Sequence, residues 1–313
     1  MAKDSLPFAH QPVLFAEVMD WMCPEKGGVY LDCTLGGGGH AEGILQACGG
    51  QAEYYGIDRD EEAIAAAGKR LAAYPGFHAI HGNFHDAAQM NLPPLSGALI
   101  DLGVSSYQLD NADRGFSYHE DAPLDMRMDA SRGQTAAEYL ASVSVPEFTR
   151  ILREYGEEKW AARIAQIFDE KRKEKPIVTT LDLVGVVDAA IPKAVRRRDD
   201  GHPARRTFQA VRIAVNDELA PLEQALRNIA GMLTDGGRLL VITFHSLEDR
   251  IVKNTFRMLQ NPCTCPPKAP ICTCGKKPLG KVLGGGVIKP TPQEIEQNPR
   301  ARSAKLRVFE KRG

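Results

Sequence analysis

The sequence predicts an α/β protein: a mostly parallel sheet with helices on both faces, interrupted by a long all-helical insertion. Three observations carry this. Short apolar runs alternate with helical patterns through the first hundred residues. Four consecutive glycines, residues 36–39, follow the first of those runs almost at once. A branched apolar run, 238–244, returns more than 130 residues after the run ending in Asp101, far more chain than one crossover helix needs.

The elements follow in order. Val29-Tyr-Leu-Asp32 reads as a short buried strand leading into the glycine loop, with a helix beginning near Ala41. Glycines there let the backbone turn sharply and approach a ligand without a Cβ in the way. The next strand, 54–57, ends in Asp58, which lies 20 residues after Gly38. At that spacing a second strand delivers an acid to a ribose diol. Loop, spacing and acid together point to a nucleoside-cofactor site. An alanine-rich helix with acids at its start follows at 61–71. Then come a short strand at 78–81, Phe84 just beyond it, and the apolar run 97–103 that holds Asp101. Open sheets of this Rossmann-like kind bind ligands beyond the carboxyl ends of their strands. Gly38, Gly39, His40, Asp58, Phe84 and Asp101 all fall at such ends.

Downstream, 226–233 reads as the end of a helix, Thr234-Asp-Gly-Gly237 as a turn, and 238–244 as a strand. That order resembles the fifth-strand entry of methyltransferases that use S-adenosylmethionine. Apolar residues from Phe208 to Ile229 recur at helical steps, and Pro221 kinks or splits that helix. The expected organisation is a first sheet segment at 1–110, a helical insertion at 111–206, and a second sheet segment at 207–313 carrying a cysteine-rich loop at 262–275. Within the insertion, Ser144-Val-Pro-Glu147 is a helix-start pattern. Stripes at 148–155, 160–168 and 180–190 predict three helices that pack by their apolar faces.

Composition excludes several classes. A 43% hydrophobic, 25% charged chain of 313 residues is that of an ordinary soluble protein. The net charge of -1 makes it no polycation, so any nucleic-acid surface comes from local clustering. No apolar run reaches the roughly 18 residues of a membrane span, and the first residues lack a signal-peptide core. The expectation is a cytoplasmic protein with its seven cysteines reduced and no membrane partner.

Several stretches resemble the bacterial family of small-subunit ribosomal RNA cytosine N4-methyltransferases: His10-Gln-Pro-Val-Leu14, Thr34-Leu-Gly-Gly-Gly-Gly-His40, Gly56-Ile-Asp-Arg-Asp60, Asp101-Leu-Gly-Val-Ser-Ser106, Arg114-Gly-Phe-Ser117, Pro123-Leu-Asp-Met-Arg-Met128, Thr207-Phe-Gln-Ala-Val-Arg-Ile213, Phe244-His-Ser-Leu-Glu-Asp-Arg-Ile251 and Asn298-Pro-Arg-Ala-Arg-Ser303. The resemblance covers nearly the whole chain. It implies a class I methyltransferase sheet with a helical insertion. It also implies S-adenosylmethionine as cofactor and, as target, the N4 amine of a cytosine near the P site of 16S rRNA in the small ribosomal subunit. The cofactor contacts it implies are Gly38, Gly39, His40, Asp58, Phe84, Asp101 and Gln108. Oligomeric state is left open, a homodimer included.

Each residue has a physical part in that expectation. The glycines and His40 would offer backbone groups to the methionine portion. Asp58 would accept from the ribose hydroxyls, Phe84 would cover the adenine, and Asp101 would hold an ammonium or the substrate amine. The target base leaves its stack, and Tyr107, Phe116 and His245 are candidates to hold it, each equally readable as packing. The Pro-Pro-aromatic platform common after the strand-end acid in exocyclic-amine methyltransferases is absent here. Arg196, Arg197, Arg198, Arg205 and Arg206 flank the loop where the insertion rejoins the sheet, and with Arg302 they are candidate phosphate contacts. Cys263, Cys265, Cys272 and Cys274 put four thiols in 12 residues, a set that could hold one structural zinc or stay free in a surface loop. A nicotinamide-dependent oxidoreductase, and an RNA-binding ribosome-assembly factor with a vestigial cofactor site, are the alternatives.

Overall fold

The computed structural model describes residues 12–196, 201–266 and 271–313. Arg197 and Arg198, with His10 and Gln11 of the first motif, lie outside the described residues. The chain divides into two compact units, Met1–Gly103 with Pro221–Gly313, and Val104–Ala220. The sequence placed these joins at 110/111 and 206/207. The contacts shift them because the helix Arg205–Asn216 buries Phe208, Ala210 and Val211 in the helical unit's core, where Leu109 also packs.

Among the described residues, the first unit is built on seven strands: β1 (Val29–Asp32), β2 (Glu53–Asp58), β3 (Phe77–His81), β4 (Leu95–Asp101), β5 (Leu233–Thr243), β6 (Gly280–Val282) and β7 (Lys305–Lys311). Their order is β3-β2-β1-β4-β5-β7-β6. The first five are mutually parallel, while β7 runs antiparallel between β5 and β6. The order reverses at β1, so the crevice between the carboxyl ends of β1 and β4 is the switch point at which such sheets take ligands.

Strand alternation explains the unbroken apolar runs. Leu31, Ile100, Leu239 and Val241 face one core, and Tyr30, Leu99, Leu240 and Ile242 face the other. A strand buried on both faces needs apolar side chains at every position. The expected turn at 234–237 is instead a bulge inside β5: Leu95 pairs with Leu233, and two residues on, Gly97 pairs with Arg238. Gly236, at φ +82°, takes the left-handed turn of that bulge. The helical break at Pro221 is present: Arg205–Asn216 ends in left-handed Asp217, and Leu222–Met232 starts after Pro221.

The helical unit packs Ala136–Ser142, Val145–Glu154, Ala161–Glu174, Thr180–Ala190 and Arg205–Asn216 around Phe148, Ile151, Ile164, Phe168 and Val187. The Phe148 and Phe168 rings lie 4.4 Å apart. The Ser144 hydroxyl caps its helix by accepting the Glu147 N–H at 3.3 Å, with proline in the first turn. Among the described residues, no helix is long and apolar enough to cross a membrane.

Candidate active site

The carboxyl ends of β1, β2 and β4 bring three aspartates together. Asp58 ends β2, and its carboxylate accepts the Gly36 N–H at 2.8 Å and the Asp60 N–H at 2.9 Å. The acid therefore fixes the start of the glycine loop while keeping further lone pairs for a ligand. Burial raises its pKa above the ordinary carboxyl value, and those backbone donors pull it partly back.

The glycines serve two ends. Gly38 stands at φ +76° as N-cap of the helix Gly39–Ala47, a conformation that side chains with a Cβ resist. At Gly39 a Cβ would lie 2.5 Å from Pro12 Cγ, so its bareness admits the N-terminal segment. His40 follows in the helix's first turn, 7% exposed and stacked on Phe15 at 6.1 Å. Burial holds its imidazole down to about 4, so it is neutral at pH 7. Its Nε2 lies 3.8 Å from Asp101 Oδ2, beyond hydrogen-bond reach.

Asp101 ends β4. Its backbone N–H donates to the Thr34 hydroxyl at 2.6 Å. Its Oδ1 is buried with no hydrogen-bond partner among the described residues. Burial, with help from the negative fields of Asp32 and Glu248, raises its carboxyl to about 8. Asp32, at the end of β1, is 2% exposed and accepts the Thr34 N–H at 3.1 Å and the Tyr54 hydroxyl at 3.1 Å. Burial raises it to about 7. Sequence reading passed over Asp32, Thr34 and Glu248. The signal available was position: an acid on the last residue of the strand that leads into the glycine loop, and a glutamate three residues past a strand-to-helix junction. Glu248 is 2% exposed and accepts the Phe244 N–H at 2.9 Å. Its other oxygen lies 3.0 Å from His245 Nε2.

Asp101 thus sets a half-buried carboxylate, with its buried Oδ1 unpartnered among the described residues, close to the fully buried Asp32. The donor set fits a ligand with an ammonium group at one end and a ribose diol at the other: Asp101 and Asp32 for the first, Asp58 for the second. Phe84 opens the short helix after β3, 7% exposed and packed into the sheet's core.

The MraW methylase family matches residues 7–312. The chain belongs to the MraW methylase family. Among its relatives, a ribosomal RNA small subunit methyltransferase H from Symbiobacterium thermophilum is 50% identical over 98% of each chain. One of the same name from Geobacter sp. strain M21 is 51% identical over 97% of this chain and 99% of that one. A solved putative methyltransferase from Streptococcus mutans, in complex with SAH, covers 95% of this chain and 96% of its own at 13% identity and TM-score 0.43.

The remaining sequence-selected residues of this methylase fall in separate places. Gln108 belongs to the helical unit, 4% exposed. There it closes a capping box: its Oε1 accepts the Ser105 N–H and its own N–H donates to the Ser105 hydroxyl, both at 3.1 Å. Phe116 is a core residue of that unit, 6% exposed. Arg196 is ion-paired with Asp188 at 2.5 Å and largely covered. Arg205 is exposed at the first turn of its helix, beside half-buried Arg206. Arg302 is exposed on the sheet unit, where with Phe244, His245, Ser246, Lys289 and Lys305 it lines a cavity of about 360 Å³.

The four cysteines of the loop before β6 do converge. Their sulfurs all lie within 4.8 Å of one another. Individual separations are 3.7 Å (Cys263–Cys272), 3.8 Å (Cys265–Cys272), 3.5 Å (Cys272–Cys274) and 3.8 Å (Cys263–Cys274). The Thr273 N–H donates to Cys265 Sγ at 3.3 Å.

Proposed function

We propose that this methylase transfers a methyl group from S-adenosylmethionine to the N4 amine of a cytosine in the P-site decoding region of 16S rRNA, within the small ribosomal subunit. The observation that carries the reading is Asp101: a half-buried carboxylate whose buried Oδ1 is unpartnered among the described residues, at the strand end beside the glycine loop and Asp58.

S-adenosylmethionine supplies a methyl carbon already made electrophilic by its sulfonium. The chain's residues bind and orient. Asp58 would accept from the ribose hydroxyls while still gripping Gly36. Asp32 and Asp101 would share the ammonium, and its charge would favour the ionised forms that burial now disfavours. Backbone groups of Gly38, Gly39 and His40 would line the methionine portion, and Phe84 would present a ring edge to the adenine. Cytosine N4 is a weak nucleophile because its lone pair is delocalised into the ring. A carboxylate oxygen of Asp101 accepting from that amine would favour the pyramidal form that attacks in line, and positioning would supply most of the rate. Exposed Arg205 and Arg302, with Arg206, would meet RNA phosphates.

A zinc ion on Cys263, Cys265, Cys272 and Cys274 completes the proposed set of bound groups. Sulfurs around zinc at about 2.3 Å form a tetrahedron with edges of about 3.8 Å, and the four separations above run from 3.5 to 3.8 Å.

The test is direct. Incubate the protein with labelled cofactor and undermethylated small subunits, then digest the RNA to nucleosides. Label in N4-methylcytidine is expected. Label only on C5 or a ribose oxygen would overturn the assignment. Cofactor binding without any transfer would favour an assembly factor.

A further inference from the structure

The cysteine loop has no evident task in holding the fold. It leaves the helix Ser246–Gln260 and returns at β6, and its two ends are tied without the sulfurs. The Leu279 N–H donates to the Leu259 carbonyl at 2.9 Å, and the Val282 N–H to Gln260 Oε1 at 2.7 Å. The described residues between those ties are mostly exposed, and they contribute nothing to the buried cores. A four-thiol clamp on such a loop gives shape to a surface.

The sequence of this segment has one sign of charge. Residues 261–281 contain Lys268, Lys276, Lys277 and Lys281 and no Asp or Glu. Lys281 is paired with Glu310 at 3.3 Å. Lys276 and Lys277 are exposed and, among the described residues, enter no ion pair. They follow Cys274 after one residue, Gly275, so ordering the Cys274 sulfur restricts them. Ile271, 74% exposed, stands beside the cluster on the other side of Cys272. Thiolates on a zinc outnumber the ion's charge by two, and the three lysines other than Lys281 still leave the segment with a formal charge of +1. Cations held in a fixed array release counterions from RNA without the entropy of ordering a loose segment.

We infer that the zinc-ordered cysteine loop is a contact surface for ribosomal RNA, with Lys276 and Lys277 as its phosphate-binding groups. This rests on the zinc and RNA-substrate readings above, and the test separates all three. Metal analysis of protein purified without chelator should give about one zinc per chain. A metal-free preparation, or iron in its place, would overturn the zinc reading itself. The double variant Lys276→Ala, Lys277→Ala should keep its zinc and its S-adenosylmethionine affinity. Its affinity for transcribed small-subunit rRNA should fall about three- to tenfold near 0.1 M salt. The slope of log affinity against log salt should shrink by about 0.7–0.9 per lost contact. Cys272→Ser, Cys274→Ser should lose the metal and show the same RNA defect, with cofactor affinity and melting temperature held. Unchanged RNA affinity and salt slope in the metal-replete lysine variant would overturn the inference while leaving the methyl-transfer reading intact.

Discussion

The Thr34 hydroxyl accepts the backbone N–H of Asp101 at 2.6 Å, joining the loop after β1 to the last residue of β4. One side chain thus sets the distance between the glycine loop and the acid that faces it. Thr34→Val keeps the shape but removes the acceptor and leaves a buried N–H unpaired, at a cost of about 1–3 kcal/mol. A loss of melting temperature together with a larger loss of methyl transfer is expected. Transfer falling only in step with stability would reduce Thr34 to a packing residue.

Asp58→Ala removes a ribose acceptor and also the tie to Gly36. Cofactor affinity should weaken by about 1–3 kcal/mol. Calorimetry returning wild-type affinity from a folded variant would remove Asp58 from the site.

Asp101 and Asp32, raised to about 8 and about 7, should make cofactor binding pH-dependent. The ammonium favours ionised carboxylates, so each proton still held must be released on binding. Affinity should rise from pH 6 and level off near pH 8, up to tenfold per pH unit per proton. The two acids titrate as a coupled pair, so the curve reports the pair. Calorimetry in buffers of differing ionisation enthalpy should detect the released protons. Flat affinity from pH 6 to 8 would contradict the assignment.

The same acids act oppositely on ligand-free stability. Asp101 binds its proton more tightly folded than unfolded, so its contribution is present at low pH. It is lost as pH rises from the ordinary carboxyl value of 3.8 to about 8. Asp101→Asn should therefore raise stability at pH 8, by about 1–4 kcal/mol if it resembles other relieved buried charges, while abolishing transfer. A variant that melts below wild type at pH 8 would show that the carboxylate is not strained there.

Arg205 is exposed and Arg196 is paired with Asp188. Arg205→Ala should weaken rRNA binding and flatten its salt dependence by about one phosphate contact. Arg196→Ala should act mainly on the stability of the helical unit. A larger salt-slope change from Arg196 than from Arg205 would reverse the assignment.

The positions of the strand ends were legible because a strand buried on both faces leaves an unbroken apolar run, and its last polar residue then stands out. Asp58 and Asp101 were found that way. Asp32 closes its strand in the same way but was passed over, and its contact with Tyr54, reaching across from β2, is visible only in the fold. Thr34 and Glu248 were hidden for a different reason: both act on backbone N–H groups, which sequence does not display. Arg196 looked like part of a basic run, since its partner Asp188 lies eight positions earlier, at no helical neighbour spacing. The compact units join at 103/104 and 220/221 rather than at the expected 110/111 and 206/207 because the helix Arg205–Asn216 is amphipathic in either setting. Only its packing partners decide where it belongs.

The β4–β5 pairing bears on how the chain reaches this state. Leu99 and Leu240 are register partners about 140 positions apart, and the parallel half of the sheet cannot meet its antiparallel edge until they find each other. Closing so long a flexible loop is slow as well as entropically costly. The intervening Val104–Ala220 unit has its own core. If it condenses first, the search is made by two short tethers on a compact body. The refolding rate of the sheet should then follow the stability of helices that contribute no strand to it.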